Sequence, residues 1–486
     1  MRILFVNPPM LREEIFGKSM RNLGALLPPL GLAYIAATVK RDGHEVSIID
    51  GPVLSTKQDY DFNSLKKDIT DYQPDIVAVT ATSPQIKNAI KVFNITKGIN
   101  ENIITMLGGP HISALPQDLL KLRNLDYGVY GEGEFVVAEI IKRLENKECL
   151  EGLSGLIWRE GDSVKYLPGE YINDLDILPF PARDLLPMKL YKPSPANYRR
   201  LPATQIFTSR GCPHSCVFCH KPIFGNKFRA HSVERVLDEI ELLIKNFGIK
   251  DIQIFDDTFS MNKERAKGIC TGIINRKLDI IWNCMTRIDT VDHDLLKLMR
   301  KAGCYGIGYG VESGSERILK LIKKKISKDM VRKVFRWTRN EGIEIRAFFM
   351  IGFPTETKED ILKTISFAKE INPDIAQFLV TTPYPGTELW HLCKKYGEIN
   401  VGDWSDFTMY SSDSAPFVPF SLEKGELEYL YSKAMKNFYL RPEYILKQLL
   451  AIRSLYGVQR KYIAAKSLAS LKVKELKDRC SNLFRA

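Results

Sequence analysis

The chain has 486 residues, 44% hydrophobic and 26% charged, with a formal net charge of +12, which gives room for two or three domains with their own cores and excludes a disordered or low-complexity protein. Ten Lys or Arg between Tyr444 and Ala486 face only Glu475 and Asp478, so this tail carries +8 and the remainder is nearly neutral, unlike a nucleic-acid-binding domain, which spreads basic residues over a folded face. No stretch is a membrane span of roughly 20 apolar residues: the most apolar early segment, Leu23 to Val39, is broken by Gly24, Pro28, Pro29 and Gly31.

In chain order, Arg2 to Val6 is a short apolar run, Gly31 to Lys40 has helical periodicity, and Glu45 to Asp50 is a second strand. Further strands are expected at Asp75 to Thr82, Ile103 to Leu107 and Tyr127 to Tyr130, with helix-length connections between them. This alternation implies an α/β fold with a parallel, doubly wound sheet, whose ligands sit beyond the carboxyl ends of the strands. Those ends carry Asn7-Pro8-Pro9, Thr82-Ser83-Pro84, Gly108-Gly109-Pro110-His111 and Gly131-Glu132-Gly133-Glu134. Glycine there lets backbone approach a large ligand and small hydroxyls bond its polar groups, although ordinary tight turns use the same residues. No G-x-G-x-x-G follows the first strand, which argues against a dinucleotide.

Trp158 to Tyr166 reads as a hairpin turning at Gly161-Asp162, and the proline-marked run Asp176 to Asp184 as a linker packed across two domains and walling a shared site. The expected organisation is a first domain over residues 1–150, hairpin and linker over 151–200, a second domain over 201–395, and a largely helical region over 396–486.

The second domain repeats strand and helix. Strands are expected at Gln205 to Thr208, Asp251 to Phe255, Ile281 to Met285, Tyr305 to Val311, Glu344 to Ile351 and Ile375 to Val380. Polar residues gather where they end, at Asp256-Asp257, Arg287-Ile288-Asp289, Glu312-Ser313, Gly352-Phe353-Pro354 and Thr381-Thr382. In barrels of strands and helices that face does the chemistry.

After the first of these strands comes Gly211-Cys212-Pro213-His214-Ser215-Cys216-Val217-Phe218-Cys219-His220. A C-x3-C-x2-C loop gathers three thiolates at one soft metal centre and supplies no fourth cysteine. A [4Fe–4S] cube so held keeps one iron open to chelate a small molecule and pass it an electron. A closed zinc site completed by His214 or His220 is the bland alternative, opposed by the absence of a second cysteine pair nearby. The other six cysteines, Cys149, Cys270, Cys284, Cys304, Cys393 and Cys480, are scattered singly; with no secretory signal pattern, free thiols of a reducing cytoplasm are expected.

Cys212, Cys216 and Cys219, with Phe218 before the last, resemble the signature of the radical S-adenosylmethionine (SAM) superfamily. The resemblance implies a partial (β/α)6 barrel, a [4Fe–4S] cluster whose open iron binds SAM, and reductive cleavage to a 5′-deoxyadenosyl radical that abstracts hydrogen from an inert carbon. An electron donor such as flavodoxin or ferredoxin is implied with it. On this reading Asp256 or Asp257 accepts from the ammonium of SAM, Arg287 pairs with its carboxylate, and Glu312 with Ser313 meets the ribose. Gly352 and Pro354 belong to a loop that resembles the adenine-contacting strand. Structural alternatives are a plain Arg287–Asp289 pair and Asp256 as a helix cap.

Asn7-Pro8-Pro9, Pro28-Pro29-Leu30-Gly31-Leu32, Gly43-His44-Glu45-Val46 and Gly108-Gly109-Pro110-His111 are similar to the cobalamin-binding domain of the B12-dependent radical SAM family. By that likeness Asn7, Thr82, Ser83, Gly108 and Gly109 contact cobalamin. The Asp-x-His-x-x-Gly pattern of other B12 domains is not met: Asp42-Gly43-His44 is followed by Ser47, and His111 is preceded by Gly109. Cobalt is therefore expected to lack a lower histidine, with His44 and His111 serving as turn residues.

The family implies methylation of an unactivated carbon of a small-molecule or lipid-like substrate, with Tyr309 or Tyr384 as substrate-facing candidates. Ring or carbon–carbon bond formation without methyl transfer, and a non-catalytic B12 or redox sensor, are the other readings. From Glu423 the pattern turns helical, breaks at Tyr439-Leu440-Arg441-Pro442, and resumes with Ile445, Leu449, Ile452, Leu455 and Tyr456. Such a tail either packs on its own protein or rests on an anionic membrane surface, which makes the expected location cytoplasmic with a peripheral membrane contact as the second possibility.

Overall fold

The computed structural model describes residues 1–15, 24–195, 197–404, 407, 415–423 and 425–450. Strands β1 (Arg2–Asn7), β2 (Glu45–Asp50), β3 (Ile76–Thr80), β4 (Ile104–Gly108), β5 (Tyr127–Val129), β6 (Leu156–Glu160) and β7 (Ser163–Tyr166) form one sheet in the order β2-β1-β3-β4-β5-β6-β7. The first five are parallel, and β6 and β7 add antiparallel. Side chains of a strand alternate between faces. Ile3 and Phe5 of β1 therefore enter the core under helices Leu30–Arg41 and Glu134–Glu145, while Leu4 and Val6 enter the one under Phe62–Tyr72 and Ile86–Ile99. A strand covered on both faces reads as an unbroken apolar run, as these do.

The expected hairpin forms, but it is not part of the connection. Gly128 pairs with Ile157 and Val129 with Leu156, so both of its strands extend the first sheet to residue 166. The physical reason is in β6 itself, where Leu156 and Ile157 are fully buried.

The segment that follows runs between the two halves. Ala182 N–H donates to Ala33 O at 3.0 Å, and the buried Arg183 donates to Glu239 at 2.6 Å and to Gln205 O at 3.1 Å. Its prolines face an outer groove lined by Lys40, Arg41 and Phe247; Tyr191, further along, reaches the shared cavity.

The second sheet is made of β8 (Ala203–Ile206), β11 (Asp251–Ile254), β12 (Ile281–Thr286), β13 (Cys304–Glu312), β14 (Glu344–Ile351) and β15 (Ile375–Val380), all parallel and in sequential order. Six parallel strands in chain order, each crossing back through a helix, build an open barrel rather than a doubly wound sheet. Between β8 and β11 the short strands β9 (Ser209–Arg210) and β10 (Arg229–Ala230) pair antiparallel and pinch the cysteine loop at its base.

Helix Glu426–Tyr439 buries Leu427, Leu430, Ala434 and Phe438 against the barrel. Tyr439 donates to Ala376 O and Tyr444 to Asp374 O, each at 2.8 Å. Helix Pro442–Leu450 opens the expected tail, with Ile445, Leu446 and Leu450 exposed; Ile452, Leu455, Tyr456, Cys480 and most of the basic run lie outside the described residues. Among the described residues no helix is long and apolar enough to cross a membrane.

Candidate active site between the two sheets

The cysteine loop is held by backbone. Val217 N–H donates to Ile322 O at 3.3 Å, Leu389 N–H to Val217 O at 2.8 Å, and Cys219 N–H to Cys216 O at 3.1 Å. Lys221 closes it by donating to Cys212 O and His214 O. Gly211 turns with φ +80°, and a Cβ there would meet Lys227 O at 2.3 Å and Phe224 O at 2.7 Å, so only glycine fits.

Cys216 is buried, Cys212 half-buried and Cys219 exposed. The neighbouring Cys219 thiol, then Lys324 and Arg287, bring Cys216 down to about 6 against the opposing effect of burial, while Cys219 is raised by its bond to Cys216. A ready thiolate in a three-thiol loop is the donor set that soft iron takes. Among the described residues no three His, Cys, Asp or Glu side chains gather as ligands of one metal ion.

At the barrel mouth the predicted residues divide. Asp256 is fully buried: one oxygen accepts from Thr208 N at 2.6 Å and Ser209 N at 3.0 Å, the other from Thr208 Oγ1 at 2.5 Å and Ser209 Oγ at 2.7 Å. It fastens the start of the cysteine loop. It is neither open to a ligand nor a helix cap, since Asn262 caps the helix that follows. Asp257 is exposed, with its carboxyl pushed up by desolvation and by Asp256.

Arg287 is held at two points by Asp289, at 2.8 and 2.9 Å, yet this is no surface pair, because Arg287 is only 5% exposed. It also donates to Lys324 O at 2.9 Å and points Nη1 at Cys216 Sγ. Glu312 stands at φ +68°, unusual for a non-glycine residue, with Oε1 2.7 Å from the buried Lys324 Nζ. Ser313 lies beneath, fully buried, bonded to Thr364 at 3.1 Å. Tyr309, named as a substrate-facing candidate, is instead fully buried in the barrel core against Thr338 at 2.9 Å.

Gly352 takes φ +82°, and a Cβ there would sit 2.7 Å from Leu427 of helix Glu426–Tyr439. Gly352 N and Phe353 N both donate to Glu356 Oε2, at 2.6 and 2.9 Å. Glu356 is wholly buried, its other oxygen has no partner, and desolvation pushes its carboxyl up to about 8. Pro354 is buried in the same turn, and the Phe353 ring meets Phe218 of the cysteine loop in a tilted contact, centroids 6.3 Å apart. Glu356 was hidden in sequence, where it looks like an acid ahead of a helix capped by Thr357.

On the first sheet, register places Asn7 opposite Asp50 at the carboxyl ends of β1 and β2. Asn7 Nδ2 donates to Asp50 Oδ1 at 2.7 Å, Tyr191 donates to Asp50 Oδ2 at 2.6 Å, and Gln85 donates to Asn7 Oδ1 at 3.0 Å. Burial pushes Asp50 up to about 6, against the hydrogen bonds from Tyr191 and Asn7. Thr82 donates to Gln85 Oε1 at 2.9 Å, and Ser83 Oγ lies 3.2 Å from His111 Nδ1. Gly109 has φ +97°, its Cβ position 2.8 Å from Thr80 Oγ1, whereas at Gly108 nothing is nearer than 3.9 Å.

A cavity of about 560 Å³ lies over these ends, lined on one side by Asn7, Thr82 and Ser83 and on the other by Tyr191, Tyr384 and His220. His220 directly follows Cys219, and its Nε2 is buried without a partner. The amide and hydroxyl floor and the unpartnered imidazole fit a large polar-rimmed ligand. The two histidines weighed for cobalt, His111 and His44, do not line this cavity. His111 is fully buried, its Nε2 3.3 Å from Asp118, and His44 lies at the opposite end of the sheet, 3.4 Å from Glu145.

The family model "Radical SAM superfamily" matches residues 206–368, and "B12 binding domain" matches residues 19–141. The chain is 37% identical over 477 residues to an uncharacterized methyltransferase of Pyrococcus horikoshii, covering 96% of this chain and 99% of that one. It is 28% identical over 448 residues to an anaerobic magnesium-protoporphyrin IX monomethyl ester cyclase of Rubrivivax gelatinosus, covering 90% and 77%. Its fold is similar to that of the cobalamin-dependent SAM radical enzyme OxsB, with TM-score 0.75 and 19% identity, covering 97% of this chain and 71% of that one. The radical SAM domain implies a [4Fe–4S] cluster and SAM, and the B12-binding domain supports cobalamin. With a cysteine loop at a barrel mouth facing a ligand-ready sheet edge, and an end-to-end relative at this identity, the chain belongs to the family of radical SAM enzymes that carry an N-terminal B12-binding domain.

Proposed function

We propose that this chain is a cobalamin-dependent radical SAM methyltransferase acting on an unactivated carbon of a small molecule. The observation that carries it is the cavity common to both sheets, in which His220, one residue past Cys219, faces Asn7, Thr82 and Ser83. When bound, the cluster supplies an electron for the reductive cleavage of SAM and cobalamin supplies a methyl group. The chain's own part is to hold and orient. Asp257 accepts from the ammonium of SAM, the Glu312 oxygen not held by Lys324 meets the ribose, and Gly352 with Pro354 flanks the adenine. Arg287 keeps a cation beside Cys216, while Asn7, Thr82, Ser83, Gly108 and Gly109 line the corrin.

The reductant is a small electron carrier such as flavodoxin or ferredoxin. The basic tail supports a membrane-held, lipid-like substrate and a cytoplasmic protein in peripheral contact with the bilayer. Likeness to a methyltransferase along the whole chain favours methyl transfer; likeness to the cyclase supports ring formation as the second reading.

The test is anaerobic reconstitution with iron, sulfide and cobalamin, followed by turnover with SAM and a reductant. S-adenosylhomocysteine beside 5′-deoxyadenosine is the expected result. Deoxyadenosine alone favours the second reading, and no SAM cleavage overturns both.

A further inference from the structure

The run Gly131-Glu132-Gly133-Glu134 follows β5, where a ligand loop of the first sheet belongs, but its acids turn away from the cavity toward the cysteine loop. Glu132 Oε1 lies 2.7 Å from Arg210 Nη1 and Oε2 lies 2.6 Å from Arg229 Nη1. Glu134 Oε1 takes the other Arg210 nitrogen at 2.6 Å. The side chains of Glu132, Arg210 and Arg229 are 1%, 4% and 1% exposed. Two arginines and two glutamates thus neutralise one another with almost no water.

Arg210 and Arg229 are cross-strand partners in β9 and β10, at the two ends of the loop that carries the three cysteines. One carboxylate of the first domain therefore grips both stems of that loop. Ile172 N–H also donates to Glu132 Oε2 at 2.9 Å, and Arg229 donates to Phe224 O at 3.0 Å inside the loop. The two domains meet at Gly131, where a Cβ would stand 3.5 Å from Pro222 O. Arg210 lies over Tyr34 of the first domain at 5.3 Å and over Phe224 of the loop at 5.2 Å. A two-headed contact of this kind fixes direction as well as distance, since a guanidinium fork accepts few orientations.

We propose that Glu132 is a positioning residue for the cluster, through which the B12-binding domain sets the orientation of the loop bearing Cys212, Cys216 and Cys219. It touches neither the cysteines nor the cavity; it acts through Arg210, two residues before Cys212, and through Arg229. The proposal rests on the cluster and cobalamin reading above.

The experiment reconstitutes wild type and E132Q anaerobically, then measures cobalamin affinity by visible absorbance, the electron paramagnetic resonance of the reduced cluster with and without SAM, and SAM affinity. Gln keeps the shape of Glu132 and removes its charge. The expected result is cobalamin affinity within about twofold of wild type, a shifted and broadened cluster signal, and SAM binding weakened about tenfold, the scale of a small misplacement in a preorganised site. Cobalamin affinity lost in parallel marks general damage and overturns the proposal. So does a cluster signal with SAM affinity unchanged. If E132Q does not fold, R229K, which keeps the charge without the fork, is measured in the same way; failure of both to fold makes the network structural only and overturns the proposal. A wild type that takes up no cluster fails the earlier reading instead.

Discussion

Arg287 Nη1 lies 3.8 Å from Cys216 Sγ while the same guanidinium is pinned by Asp289 at 2.8 and 2.9 Å. The pin keeps a cation aimed at one cysteine; the Cys219 thiol first, then Lys324 and this cation, bring that thiol down to about 6 against the opposing effect of burial. In the cluster-free protein Cys216 is therefore mostly thiolate at pH 7, where an ordinary cysteine is not. Iodoacetamide labelling of Cys216, followed by peptide mass mapping, is expected to hold its rate from pH 8 down to about pH 6 and fall below that. In Arg287→Met the fall begins at higher pH. A wild-type rate that drops steeply below about pH 8 would contradict the assignment.

Glu356 is expected to contribute to the pH dependence of stability in the barrel. Its folded pKa is about 8, above the ordinary carboxyl value of 4.5. The folded state thus binds the extra proton, so this contribution is fully present below the ordinary value and is lost as pH rises through about 8. Glu356→Gln keeps an oxygen for Gly352 N and Phe353 N and removes the titration. Its melting temperature should exceed that of wild type at pH 9 and vary less between pH 6 and 9. Glu356→Ala, leaving both N–H groups unpaired, should destabilise by about 1–3 kcal/mol at neutral pH and below, with the difference from wild type shrinking as pH rises through about 8.

Gly211→Ala tests the base of the cysteine loop. Its Cβ would fall 2.3 Å from Lys227 O at φ +80°, and both the clash and the dihedral oppose it. Loss of iron and sulfide uptake is expected, with cobalamin binding retained because the first sheet is not touched. Gly31→Ala, where a Cβ would meet nothing within 4 Å, is the neutral control.

For the basic tail, co-sedimentation with vesicles is the measure. The 486-residue chain should bind vesicles rich in anionic lipid and release as salt is raised above about 0.15 M, and a chain ending at Leu450 should not bind. Equal binding to zwitterionic vesicles would exclude the electrostatic contact.

The barrel strands were legible because Glu344–Ile351 and Ile375–Val380 are apolar runs stopped by turn residues. The cysteine loop was legible because its spacing alone limits what it can bind. Side-chain direction was not. Asp256 and Asp257 are adjacent acids at one strand end, and nothing local tells that the first turns under the loop while the second faces out. Tyr309 sits in a glycine-rich strand that reads as open, yet its ring is in the core. The Asp50–Tyr191 bond joins residues 141 apart, a partnership that neither stretch of sequence announces. Glu132 and Glu134 were read as part of a ligand loop because position after β5 is a property of the strand, whereas their partners belong to the other domain.

Leu427 closing over Gly352 has a consequence for synthesis. A ribosome-bound chain that has already made Cys212, Cys216 and Cys219 still lacks the helix that finishes the turn beside them, roughly 75 residues after Gly352. Until that amphipathic segment emerges, the thiols stand at an unfinished pocket, exposed to oxidant and to the wrong metal. Iron–sulfur loading during translation would thus meet a half-built site, and a chain released before Phe438 would carry the cysteines without the wall that gives them their use.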